Sequence, residues 1–308
     1  LVIGAGPIGC ELAQAFCHLG AQVVQVDLKS RLLPREDLEV SDLVRMQFQR
    51  DGIEVLTEHE PIKMGREGDQ NYLEALHKGQ AVRIEFDRVL VAAGRKSNVE
   101  GIGLEKAGVK LNSAGAIQVN SAMQTNIRNI FACGDVAGPY QYTHMASYQA
   151  FFASINAMLS GFWRIRANHR VVPWATYVTP EVARVGISEI EARELDICYE
   201  VTNYELSKLD RARTDGESQG FIKILTAPKK DKILGVTIVG HQASELIGEF
   251  VLAMTHNMGL KKIIDAIHVY PTMYEANKLA ANEWRKNHLP KKYVTWAKRF
   301  FEWRRSGK

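Results

Sequence analysis

The chain has 308 residues, 46% of them hydrophobic, which is enough for more than one packed core. The chain has 39 Lys/Arg and 35 acidic residues. Nine of the Lys/Arg and one of the acidic residues lie in residues 285–308, so the rest of the chain is mildly acidic, with 30 basic and 34 acidic residues. That balance argues against a nucleic-acid-binding protein. The four cysteines show neither zinc-site nor redox-pair spacing, so we expect no metal site and a cytoplasmic location.

The first 30 residues predict a βαβ unit. Apolar residues Leu1–Ile3 indicate a strand, and Glu11–Leu19 has the periodicity of a helix, which Gly20 ends. Gln22–Val26 then alternates as a second strand. Because the chain starts inside a strand, with no Met or signal-type segment, we interpret it as a piece of a longer protein.

The turn of this unit, Gly4–Gly9, reads Gly-Ala-Gly-Pro-Ile-Gly and matches the dinucleotide-binding pattern G-x-G-x-x-G. A pyrophosphate would lie at the helix N-terminus, where N–H groups and the helix dipole favour anions. Asp27, at the end of the second strand, is placed to accept hydrogen bonds from a ribose and to repel a 2′-phosphate, which favours NAD(H) over NADP(H). Arg31 and Arg35 lie close enough to leave NADP(H) open, and a turn without a nucleotide is the structural alternative. The predicted contacts are Gly4, Gly6, Pro7, Ile8, Gly9, Glu11 and Asp27.

Further elements are predicted through the first half of the chain. Helices are expected at Leu38–Arg50 and Thr143–Leu159, and strands at Ile53–Leu56, Arg83–Ala93 and Asn129–Asp135. Glycines in the polar stretch before Arg83 indicate turns of a meander.

After a basic linker at 164–170, strands come first and helices later, which indicates an α+β layer. The predicted strands are Trp174–Val178, Ala183–Ile187, Glu200–Tyr204, Phe221–Leu225 and Ile233–Val239, and the predicted helices are Ser188–Glu194, Ala243–His256 and Thr272–Arg285.

Four ordered segments carry a family resemblance over residues 1 to about 285. They are Ala92-Ala93-Gly94-Arg95, Ala132-Cys133-Gly134-Asp135, Thr179-Pro180-Glu181-Val182-Ala183-Arg184-Val185-Gly186 and Tyr270-Pro271-Thr272-Met273-Tyr274-Glu275. In these the chain resembles the class I pyridine nucleotide-disulfide oxidoreductases, with mercuric reductase-like and dihydrolipoamide dehydrogenase-like features.

The resemblance implies an α/β fold in four parts. A Rossmann-type NAD(P)-binding domain would cover 1–96, and the C-terminal part of an FAD-binding domain 97–163. An α+β interface (dimerisation) domain would cover 170–285, followed by a basic aromatic tail at 286–308. The family's first FAD-binding motif and its redox-active cysteine pair would lie upstream, so we expect this piece to be inactive alone.

The resemblance also implies FAD as a second cofactor. Asp135 would bind the ribityl chain, and the helix from Thr143 would point its positive end at the flavin. The implied contacts are Gly94, Arg95, Gly134, Asp135, Thr143, His144, Met145 and Ala146. Hydride would pass from NAD(P)H to FAD and then to a disulfide or another small-molecule acceptor, in a homodimer.

The last segment departs from the family at its catalytic position. Tyr270 stands where thiol-handling members have a histidine. Glu275 keeps the carboxylate that orients the histidine in those members. A tyrosine is a poor base at neutral pH, so His268, two residues away, is a candidate substitute. No cysteine lies near the C-terminus, which puts mercury as a substrate in doubt. Two alternatives therefore stay open: a flavin NAD(P)H dehydrogenase that lacks the dithiol and reduces a quinone or metal, and a non-catalytic NAD-binding partner protein.

The tail predicts an amphipathic helix. Tyr293, Trp296, Ala297 and Phe300 share a face at helical spacing, among basic residues. Such a helix could lie on an anionic membrane surface. The alternative is that the aromatic face packs against the protein's own body or its partner subunit.

Overall fold

A computed structural model describes residues 1–159 and 163–307, without the side chains of residues 291–294. The chain forms two compact units, one of Leu1–Ala93 with Val171–Lys308, the other of Gly94–Arg170. The predicted α/β class is confirmed, whereas the division into four domains stays a prediction. In the described ranges, we find no helix that is both long and apolar enough to span a membrane.

The first unit begins with a four-stranded parallel sheet in the order β3-β2-β1-β7. Its elements are β1 (Val2–Ile3), α1 (Pro7–His18), β2 (Val24–Val26), α2 (Leu38–Asp51), β3 (Glu54–Leu56) and β7 (Leu90–Val91). α1 starts at Pro7, whose missing N–H would have been unpaired there anyway. Apolar side chains of α1 and α2, including Ala13 and Phe48, bury one face of the sheet. The predicted βαβ unit is therefore confirmed.

Between β3 and β7 lies an antiparallel meander of β4 (His59–Glu67), β5 (Gln70–His77) and β6 (Gln80–Phe86). The single strand predicted at Arg83–Ala93 is wrong, because that run is divided between β6 and β7 in two different sheets. The exposed residues Asp87 and Arg88 mark the crossing. An apolar run can therefore supply two strands that pair with different partners.

The second unit is mostly loops around a single long helix, α3 (Thr143–Met158). The strand predicted at Asn129–Asp135 is wrong, because the structure shows one isolated bridge, Gln124 with Phe131, and a 3₁₀ helix at Gly134–Val136. The run is apolar because Ala132 and its neighbours pack in a small core, not because they join a sheet. Two buried amides on α3 hold the loops: Gln149 accepts from the Gly134 amide at 2.8 Å, and Asn156 donates to the Ala122 carbonyl at 3.0 Å.

The rest of the first unit is a five-stranded antiparallel sheet in the order β10-β11-β12-β9-β8, with its helices. The strands are β8 (Pro173–Thr176), β9 (Glu181–Gly186), β10 (Glu200–Glu205), β11 (Phe221–Thr226) and β12 (Ile233–Gly240). The helices are α4 (Glu189–Glu194), α5 (Asp210–Thr214), α6 (Ala243–Thr255), α7 (Leu260–Asp265), α8 (Glu275–Asn287) and α9 (Lys291–Arg305). All five strands were predicted to within two residues, but α5 and α7 were not predicted, and α8 begins three residues after the predicted Thr272.

A buried lysine joins the five-stranded antiparallel sheet to the start of α2, which packs on the parallel sheet. Lys223, in the middle of β11, is fully buried, and its ammonium bonds Asp37 at 2.5 Å, Glu189 at 3.0 Å and Glu39. Asp37 also accepts from the backbone amides of Glu189 and Ile190, at the N-terminus of α4. Burial alone would lower the pKa of Lys223, but its three carboxylate partners outweigh burial and raise it.

A second ion pair lies beside the first. Arg184 of β9 is 1% exposed, lies 2.9 Å from Glu191 and 3.4 Å from Glu36, and stacks over the Trp174 ring at 4.3 Å. The Trp174 indole donates to Glu36 at 3.0 Å. Burial raises the pKa of Glu36 despite the opposing charge of Arg184. The segment 36–39 is thus held to the antiparallel sheet by two buried cations.

We predict that Lys223→Met destabilises the chain by about 3 kcal/mol, because it leaves the buried Asp37 carboxylate without its cation. The free energy of unfolding in urea measures this. Lys230→Met, at an exposed position, is the matched control and should cost less than about 0.5 kcal/mol. A loss below about 1 kcal/mol for Lys223→Met would contradict the role of this cation.

The pH dependence gives a second prediction. Burial would raise the pKa of Asp37, but the Lys223 ammonium outweighs it and lowers that pKa below 3.8. The stabilisation by Asp37 is therefore complete above pH 3.8 and is lost as the pH falls through the lower folded-state pKa. The stability gap between wild type and Lys223→Met should narrow on acidification below pH 3.8; a gap that is constant with pH would disprove the coupling.

Candidate active site

The glycine loop lies tightly against the end of β7. Gly4 has φ +117°, and a Cβ there would lie 2.4 Å from the Ala92 carbonyl oxygen. A Cβ on Gly9 would lie 2.0 Å from the Gly4 carbonyl oxygen, so α1 approaches the strand at a distance that only glycine allows.

The N-terminus of α1 fits a dinucleotide pyrophosphate. Gly6 is the N-cap residue, and within the described residues no side chain caps this end of the helix. A Cβ built on Gly6 would meet no described atom within 4 Å, and Pro7 and Ile8 are exposed. Backbone N–H groups of the first turn beside open space form a site for a phosphate anion.

Asp27 follows β2 and anchors the same loop. One carboxylate oxygen accepts from the Ala5 amide at 2.6 Å and the other from the Lys29 amide at 2.6 Å. Each oxygen keeps a further lone pair, and the residue is partly exposed, so a ribose hydroxyl can still donate to it. Arg31 donates to the Pro34 and Glu36 carbonyls, so its guanidinium is already bound by its own loop.

Glu11 was predicted as a cofactor contact, but its carboxylate has a different partner. It accepts from the Tyr177 amide at 2.8 Å. One turn later, Gln14 donates to the Thr179 carbonyl at 2.9 Å and accepts from the Thr179 amide at 2.6 Å. These side chains position α1 on the β8–β9 connection, and Glu11 therefore acts on the glycine loop indirectly.

In the second unit, Arg95 and Asp135, both predicted to contact FAD, form an ion pair. Its guanidinium lies 3.3 Å from the Asp135 carboxylate and donates to the Gln141 carbonyl at 2.6 Å. The Ser97 hydroxyl donates to the Asp135 carbonyl at 3.0 Å. The Asp135 side chain is 45% exposed and keeps lone pairs that can accept hydrogen bonds from a polyol.

The N-terminus of α3 begins two residues after Gln141. Thr143 and His144 are exposed, Met145 is buried and Ala146 is partly buried. Tyr142 is the N-cap residue, and in the part of the chain that is described no side-chain cap forms there. The uncapped N-terminal end of this 16-residue helix lies next to the loop that Arg95 binds, and it fits the electron-rich edge of a flavin. Gly94, another predicted contact, is exposed and has φ +134°.

Tyr270 is 64% exposed, and its hydroxyl donates to Asp210 at 3.1 Å. That hydrogen bond, with the nearby charges of Asp210 and Glu275, raises the pKa of Tyr270. Asp210 is the first residue of α5, a helix that the sequence did not predict. Glu275 begins α8 and acts on Tyr270 by charge, so the partner of the phenol is Asp210.

That His268 replaces the missing histidine stays a prediction, and the surroundings of His268 do not favour it. Its side chain is 1% exposed, lies 3.1 Å from the Glu249 carboxylate and stacks on Tyr274 at 4.6 Å. The segment is not a strand, so residues two apart need not face the same way: Tyr270 faces solvent while His268 is buried. His268 is a structural residue of the α6–α8 core.

One acidic cluster has the geometry of a metal site but already holds a cation. Ligand atoms of Asp37, Glu39 and Glu189 lie within 4.8 Å of one another, with the Lys223 ammonium bonded to all three.

Burial raises the pKa of the Cys10 thiol to about 12, so this cysteine stays protonated and is not a nucleophile.

Several residues that shape the site were not found from the sequence. Lys223 and Arg184 each left a signal, a cation flanked on both sides by apolar residues within a strand. Asp210 left none, because its role depends on a contact 60 residues away.

Comparison with known proteins identifies the family of the chain. Two family models match: "Pyridine nucleotide-disulphide oxidoreductase" over residues 1–150 and the dimerisation domain of that family over residues 172–281. Among curated relatives, a dihydrolipoyl dehydrogenase of Thermus scotoductus is 36% identical over 94% of this chain and 62% of its own length. The dihydrolipoyl dehydrogenase of Bacillus subtilis is 34% identical over 89% of this chain and 59% of its own length. The chain thus spans about 60% of the length of these relatives.

Solved structures agree in fold. The Cu(II) complex of the HOCl-induced flavoprotein disulfide reductase RclA from Escherichia coli has a TM-score of 0.81 at 25% identity, covering 91% of this chain and 63% of its own. LpdA from Mycobacterium tuberculosis has a TM-score of 0.83 at 24% identity, covering 91% and 60%, and shows the fold alone.

We predict that Gly6→Ala weakens NADH binding more than about tenfold, because its methyl group fills the space that a pyrophosphate needs. Its melting temperature should stay unchanged, since that methyl group meets no described atom and Gly6 has an ordinary φ of −74°. Gly248→Ala, on α6, also adds a methyl group in open space and is the matched control. Titration calorimetry with NADH measures both, and equal affinity in the two variants would refute the site.

Proposed function

Because the chain belongs to the pyridine nucleotide-disulphide oxidoreductases, we propose that it supplies the NAD(H) site and part of the FAD site of an NADH-linked flavoprotein oxidoreductase. The observation that carries the proposal is the uncapped N-terminus of α1, with open space at Gly6 and the loop anchored by Asp27. Curated relatives over most of this chain are dihydrolipoyl dehydrogenases.

The residues of the glycine loop bind and orient the nicotinamide dinucleotide. First-turn amides of α1 bind the pyrophosphate, and Asp27 accepts from a ribose hydroxyl. A 2′-phosphate would come close to the Asp27 carboxylate, and Arg31, bound to its own loop, is poorly placed to neutralise it. NADH is therefore preferred to NADPH.

Asp135 and α3 would hold the FAD. Asp135 accepts hydrogen bonds from the ribityl hydroxyls, Arg95 fixes the position of that carboxylate, and the positive end of α3 stabilises negative charge on the ring. When bound, the two cofactors supply hydride transfer; the protein supplies position and charge.

The environment of Tyr270 favours an acceptor that needs no imidazole. A phenol whose pKa is raised above its ordinary value keeps its proton at neutral pH and cannot act as a base. Buried His268 cannot replace it. Although the family reduces disulfides, the protonated phenol of Tyr270 and the burial of His268 support a metal ion or a quinone as acceptor. One relative of known structure, RclA, is a flavoprotein disulfide reductase described as a Cu(II) complex.

A homodimer is part of the proposal. Residues 172–281 match the dimerisation domain of the family. Ahead of α8, Ile267, Val269 and Tyr270 are 95%, 70% and 64% exposed, an apolar ridge that a second subunit would cover. The same contact would bring Tyr270 to the partner's active site, as the family resemblance implies.

The test uses the full-length protein loaded with FAD. Anaerobic NADH should reduce the flavin, and Cu(II) or a quinone should reoxidise it over repeated turnovers, with NADPH less effective. NADH binding without turnover of any acceptor would support the non-catalytic alternative and overturn the proposed oxidoreductase.

The acceptor is tested separately by Tyr270→His. We expect this variant to reduce a lipoamide-type disulfide on the order of 10²-fold faster than wild type, with an apparent pKa near ~6.5, provided that the upstream cysteine pair is present. Tyr177→His, at another exposed tyrosine, is the matched control. If wild type already reduces the disulfide as fast as Tyr270→His, the acceptor assignment is wrong.

A further inference from the structure

The C-terminal helix α9 lies outside every hydrophobic core that the described residues form. Of the described side chains at 295–307, Ala297 alone is not exposed. The preceding helix is well packed, since Ala280, Ala281 and Trp284 are buried and His288 bonds Glu200 at 2.8 Å. A firmly held α8 thus presents an α9 whose described side chains at 295–307 the described residues of the first unit leave largely uncovered.

The four described aromatic side chains of α9 contact one another and remain exposed to solvent. Trp296 stacks on Phe300 at 5.6 Å, and Phe300 lies 5.9 Å from Trp303. Trp296, Trp303 and Phe301 are 66%, 57% and 53% exposed. So much aromatic surface on one helix marks an interaction site.

Basic residues border this aromatic face on both sides. At 3.6 residues per turn, the apolar arc is about 160° wide, with Lys298 and Arg305 along one edge and Arg299 along the other. Arg304, in the last turn of the helix, lies within this arc, between the positions of Phe300 and Phe301. The centre of the opposite face holds polar residues, including Glu302, the only acid in residues 285–308. Long cationic side chains at the edges can reach up to phosphate groups while the aromatic rings are buried below.

We propose that α9 lies in the plane of an anionic lipid surface, with Trp296, Phe300, Phe301 and Trp303 among the acyl chains and its Lys/Arg side chains on the lipid phosphates. Aromatic rings suit the boundary between headgroups and acyl chains, and a net charge of +8 in residues 285–308 complements anionic lipid. A second copy of α9 is a poor occupant, because facing aromatic surfaces would bring the cationic edges together.

This docking would hold the oxidoreductase at a membrane surface. A lipid-soluble acceptor, such as a quinone, would then be available close to the enzyme. The docking itself does not depend on the proposed redox function, and its test needs neither NADH nor FAD turnover.

The experiment is flotation of the whole chain with vesicles. Vesicles with 30 mol% phosphatidylglycerol in phosphatidylcholine should bind the protein, and pure phosphatidylcholine should bind it at least ~10-fold more weakly. Binding should fall as salt rises from 0.05 to 0.5 M. Tryptophan fluorescence should shift to the blue with anionic vesicles, and this shift should be smaller in Trp296→Phe.

Two variants separate the apolar and electrostatic contributions. Trp296→Ser with Phe300→Ser, and Lys298→Glu with Arg299→Glu and Arg305→Glu, should each weaken partitioning more than ~10-fold. The matched controls are Phe151→Ser with Trp163→Ser, exposed aromatics elsewhere, and Lys229→Glu with Lys230→Glu and Lys232→Glu, which change net charge equally. Both controls should bind like wild type.

Three outcomes would overturn the proposal. They are equal binding to neutral and anionic vesicles, equal loss in the α9 variants and their controls, and no vesicle binding together with self-association that depends on α9. Sedimentation velocity without lipid measures the last of these.

Discussion

The first unit depends on charges that are buried between its five-stranded antiparallel sheet and the start of α2. Lys223 cannot reach water, so its stability in the core requires the carboxylates that surround it. Asp37 is central because it is the N-cap residue of α2, accepts from the first amides of α4 and pairs with Lys223. A single carboxylate therefore fixes two helix ends relative to β11. The parallel sheet of the glycine loop is held to the antiparallel sheet by this arrangement.

Function in the first unit follows from how little of the glycine loop is shielded. Glu11 and Gln14 hold the side of α1 against the β8–β9 connection. Gly4 and Gly9 allow the loop and the helix to pack closely against the strands. What remains open is the N-terminal end, where the helix field favours an anion. At Tyr270, by contrast, the protein supplies a hydrogen-bonded phenol at the position where the family resemblance implies a histidine.

The sequence was a good guide wherever structure depends on nearby residues. The βαβ unit and the five later strands have clear periodicity, and the glycine loop has a fixed spacing, so these were predicted. Pairing is a long-range choice, and it overturned the strands at Arg83–Ala93 and Asn129–Asp135. The burial of His268 was missed for the same reason, because its contact with Glu249 depends on how α6 packs.

The Lys223 cluster has a consequence for the history of the chain. Positions 37, 39, 189 and 223 hold three negative charges and one positive charge in a space with little water. Lys223 and Asp37 are the deeply buried members, whereas the Glu39 side chain is 45% exposed. Changing Lys223 alone leaves the buried Asp37 carboxylate without its cation, so evolution is constrained to change these two together. Among related sequences, an apolar residue at the position of Lys223 should accompany a neutral residue at the position of Asp37, and that correlated substitution would be visible in an alignment.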